Sequence, residues 1–90
     1  MLTSTDEYRG KVISNVLFAG SQEEVCHILD LTMKDLTIHQ KNKETTIIFT
    51  NKILDELDHF NPMNKNAQEW SNINMARIYF HRIKLHDPVQ

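Results

Sequence analysis

Two stretches of the chain, Glu24-Val25-Cys26-His27 and Glu56-Leu57-Asp58-His59, share the pattern Glu-x-x-His. On a helix this spacing brings a carboxylate and an imidazole to one face, as in the di-metal centres of four-helix bundles. Such a centre also needs an inward glutamate from each of two further helices, and Glu7 and Glu69 are formally present. Direction speaks against it. At about 100° per residue, His27 lies well away from Val25, Ile28 and Leu29, and His59 falls roughly opposite Leu57 and Phe60. Both histidines are expected in solvent, Glu24 has a capping role instead, and no metal site is assigned.

Covalent chemistry finds no better footing. Cys26 is alone in the sequence, and its apolar neighbours at helical spacing predict a small core residue. Ser4 and Ser21 read as helix caps, neither tied by local spacing to a histidine and a carboxylate. A phosphate-cradling glycine loop is absent. The expectation is therefore no enzymatic activity and no cofactor.

Four helices must position whatever residues function. The first is predicted from Ser4, where Ser4-Thr5-Asp6-Glu7 fits a capping box, and carries Tyr8, Val12, Ile13, Val16 and Leu17 as its apolar stripe before Gly20. Ser21 with Glu24 forms a second capping box, followed by Val25, Ile28, Leu29, Thr32, Leu36 and His39. A third helix spans Glu44 to Phe60 through Ile47, Ile53, Leu54, Leu57 and Phe60, despite the β-branched run at 45–50. Asn61-Pro62 stops it, because proline lacks an amide donor and disfavours helical geometry in the residue before it. Asn66 then caps a last helix, with Glu69 three residues on; Ile73, Ala76, Tyr79, Phe80 and Ile83 form its buried stripe, and it ends before Asp87-Pro88. The fold class is all-α, a small bundle of four to five helices in one domain covering 1–90.

Composition bounds the function. The 90 residues carry a formal charge of −2, with eight carboxylates against four lysines in residues 21–60 and four basic residues against two acids in 61–90. A strongly basic nucleic-acid footprint is missing. The two halves have charges suited to mutual attraction in a homo-oligomer. The longest apolar run, Val16-Leu17-Phe18-Ala19, is far short of the roughly 20 residues of a membrane span, and no leader follows Met1, so the expectation is a cytoplasmic protein without membrane contact.

One stretch decides between two functions. Periodicity fits residues 21–42 as a single helix, which says little about function, or as two helices broken at Asp30-Leu31-Thr32. A helix-turn-helix needs a small residue in its first helix, a turn residue tolerant of left-handed geometry, an apolar turn residue and an apolar anchor; Cys26, Asp30, Leu31 and Leu36 fill those positions, and Thr32 would cap the second helix.

The same stretch resembles the LuxR/GerE type of DNA-binding domain. The carrying residues are Ser21-x-x-Glu24-Val25-Cys26-x-x-Leu29-x-Leu31-Thr32-x-x-x-Leu36-x-x-His39-x-Lys41-Asn42, with Leu17-Phe18-Ala19-Gly20 as lead-in. The resemblance covers roughly 16–42. Asp35 stands where that family usually has threonine, Lys43 where it buries an apolar residue, and 44–90 are unexplained by it. The resemblance implies a helix-turn-helix at about 21–43, within a core of about 4–43; residues 44–86 are expected as a helical extension for dimerisation or a partner. It places the helix from Met33 to Lys43 in the major groove, with Lys34, Thr37, Ile38 and Lys41 touching bases or phosphates. His39 and Asn42 would seat that helix on its neighbours and the DNA backbone, with Thr32 at its start, while Ser21 and Gln22 would bind a phosphate. The favoured expectation is thus a homodimeric transcriptional regulator.

The alternative is a small α-helical protein that binds another protein, of the adaptor, immunity or anti-regulator type. Its candidate surface is the stripe Trp70, Asn74, Arg77, His81 and Lys84 on the last helix, away from the main core. An aromatic anchor with basic neighbours suits a protein partner or a phosphate backbone.

Overall fold

Helix formation begins with local caps. In the computed structural model, which describes residues 5–39 and 43–85 and the side chains of 6–36 and 46–84, four helices occur: α1 Thr5–Leu17, α2 Gln22–His39, α3 Lys43–Asp58 and α4 Ala67–Leu85. The expected cap Ser4 lies outside the described residues. At α2 the Ser21 hydroxyl accepts from the Glu24 amide at 3.2 Å, and the Glu24 carboxylate accepts from the Gly20 amide at 2.9 Å. Asn66 and Glu69 exchange the reciprocal pair at α4, at 2.8 and 3.0 Å. Each box satisfies amides that the first turn leaves without helical partners. Between α3 and α4, Asn61 accepts from the Met63 amide at 3.0 Å and caps a short 3-10 helix, Pro62–Asn64.

The apolar stripes meet in one core. Val12 and Val16 of α1, Val25, Leu29 and Leu36 of α2, Phe49, Ile53 and Leu57 of α3, and Ile73 and Phe80 of α4 are all buried within it. Each large side chain buried this way contributes about 1.5–3 kcal/mol relative to exposure. α1 and α4 each pack against all three other helices, whereas α2 and α3 make little contact with each other. Tyr8, early in α1, donates to Asp35, late in α2, at 3.2 Å, so these two helices run antiparallel. Asn72 meets Ala19 while Tyr79 meets Leu29, so α2 and α4 run in the same direction. The all-α bundle is as expected, and no strand occurs among the described residues.

α2 corrects the two-helix reading. It is one helix of 18 residues, continuous through Asp30-Leu31-Thr32, and no described residue has positive φ. The physical reason is packing on one stripe. Val25, Leu29, Thr32 and Leu36 recur at helical spacing and are all buried, which a turn at 30–32 would prevent by rotating Leu36 away. Thr32 does not cap a second helix. Its hydroxyl donates 2.7 Å back to the Ile28 carbonyl, a bond made inside a helix.

Other departures are smaller. Cys26 is exposed rather than a core residue. Phe49, in the β-branched run of α3, is fully buried against Tyr8, their rings 5.7 Å apart. Arg9 ties α1 to α3 by pairing with Glu56 at 2.6 Å while also holding Asp6 at 2.8 Å.

Candidate docking surface on α4

α4 buries one face and leaves the opposite one uncovered. Ile73, Ala76 and Phe80 enter the core. On the other side Ala67, Ser71 and Ile78 are exposed, with Ile78 at 55%. Trp70 and Met75 flank this strip. Both are half-buried, packed on the core from one side and lining an open groove of about 530 Å³ from the other. Gln22, the first residue of α2, and Asn74 also line the groove.

On its inner side, α4 is tied to the α1–α2 turn by Asn72. It is 1% exposed, and its amide nitrogen donates to the Ala19 carbonyl at 2.8 Å and lies 3.4 Å from the Leu17 carbonyl. Gln68 donates to its oxygen at 2.9 Å. These bonds fix the α1–α2 turn, and with it Gln22, against the first turns of α4.

The Trp70 stripe divides on inspection. Trp70 and Asn74 line the groove. Arg77 turns to α3, its guanidinium Nε 2.8 Å from the Asp58 carboxylate, with Asn74 at 3.4 Å from Nη1. His81 and Lys84 are exposed, as is Arg82 beside them. Arg82 and Lys84 form no ion pair with the described residues.

Of the residues expected at DNA, the four whose side chains are described, Ser21, Gln22, Thr32 and Lys34, do not share one surface. Thr32 is buried and bonded within α2. Ser21 is occupied as a cap, Gln22 belongs to the α4 groove, and Lys34 is exposed on the outer side of α2. Lys41 and Asn42 lie outside the described residues, as do the side chains of Thr37, Ile38 and His39. α2 carries Glu23, Glu24, Asp30 and Asp35 against the single Lys34, a balance that repels phosphate.

The Glu-x-x-His pairs are also apart. His27 and His59 are exposed, and among the described residues no group of three potential ligands is placed to hold a metal. His59 donates from Nδ1 to the Asp55 carbonyl, 2.6 Å away, and the Asp55 carboxylate lies 3.7 Å off; these hold its pKa above the ordinary histidine value. A smaller recess of about 220 Å³ lies between α1 and α2, where burial, and then the charge of Asp35, raise the pKa of Tyr8. No described helix is long and apolar enough to cross a membrane.

Ser71, Met75 and Ile78 escape a reading that looks only for an aromatic and basic stripe. Their signal is present in the sequence, since Ser71, Asn74 and Ile78 share one face at four- and three-residue spacing. Asn72 leaves no such trace. No protein-family model matches the chain, and neither a curated protein nor a solved structure shows significant similarity to it.

Proposed function

We propose that this protein works by binding another protein through the outward face of α4, not as an enzyme. The observation that carries this reading is the groove lined by Trp70, Met75 and the exposed Ile78. A rigid aromatic beside accessible aliphatic surface is the composition of an interaction anchor, because covering it removes apolar area from water at little conformational cost. The helices beneath it are held by buried contacts, so the surface is preformed.

The helix-turn-helix reading asked for a break at Asp30-Leu31-Thr32 that would free 33–43 to enter a major groove. With α2 continuous and acidic, the described residues lend DNA binding by a homodimer no support. The test joins both readings. A photo-crosslinking residue placed at Ser71 in the full-length protein, expressed in its own cells, is expected to give protein adducts that vanish with Ile78→Asp. A labelled mixed-sequence duplex is expected to show no binding at about 50 mM salt. Duplex binding that falls steeply by about 200 mM salt, without Ser71 adducts, would restore the DNA reading.

A further inference from the structure

We draw no further inference here: the strongest candidate, the groove on the outward face of α4 lined by Trp70, Met75 and Ile78, belongs to the docking surface already described, and nothing in the structure shows what covers it.

Discussion

The side-chain amide of Asn72, buried on α4, donates to the carbonyl of Ala19 at 2.8 Å, across a sequence separation of 53 residues. The bond serves the end of α1, whose last carbonyls have no helical partners. Asn72→Leu would leave the Ala19 and Leu17 carbonyls buried without a donor, at a cost of about 2–3 kcal/mol. Urea denaturation followed by circular dichroism measures this, and a loss below about 0.5 kcal/mol would show that water replaces the amide.

Thr50 of α3 is 2% exposed, and its hydroxyl has no hydrogen-bond partner among the described residues. A buried, unpaired hydroxyl costs on the order of 1–3 kcal/mol. Thr50→Val preserves shape and removes the hydroxyl, so the variant should gain about 1 kcal/mol. Destabilisation in a thermal melt would instead mean that the hydroxyl is satisfied in solution.

Continuity of α2 can be read from a pair of substitutions at Asp30. Alanine and glycine remove the same carboxylate, so their difference isolates the backbone. In a helix interior Asp30→Ala should be more stable than Asp30→Gly by about 1 kcal/mol. At a left-handed turn the order reverses, because glycine tolerates positive φ and alanine does not. Paired denaturation curves give the sign.

His59 supplies the pH dependence. Its protonated form is favoured in the folded state by the Asp55 carbonyl and then by the Asp55 carboxylate, so its pKa is raised. Because the folded value exceeds the ordinary value of about 6.5, the contribution is fully present below that pH. It is lost as pH rises through the folded pKa. Nuclear magnetic resonance titration of the imidazole should place its midpoint above 6.5, and Asp55→Asn should lower it without restoring the ordinary value, since the carbonyl remains. A midpoint at or below 6.5 would contradict the geometry.

The helix starts were legible because capping is local. Ser21 with Glu24 and Asn66 with Glu69 act across three residues, and both form as their spacing predicts. The stop at Asn61-Pro62 and the apolar stripes of α1, α2 and α4 follow the same short-range rules. Phe49 was hidden because the β-branched residues around it blur the helical period, and it took contact with Tyr8 to give the residue its core position. Cys26 sits beside Val25 in sequence, yet falls one step around the helix and outside the core.

By itself, then, the sequence determined an all-α chain with these helix starts and an uneven distribution of charge. Whether Asp30-Leu31-Thr32 bends was open, since the same apolar spacing serves one helix or two. Tertiary structure decided it: α1 and α4 cover Val25, Leu29, Thr32 and Leu36 together, and a straight helix alone presents all four to that cover. The outward face of α4 was decided the same way. Which of two weakly contrasting faces turns inward depends on how the helices pack, and burial of Ile73, Ala76 and Phe80 with Asn72 left Ile78 outside.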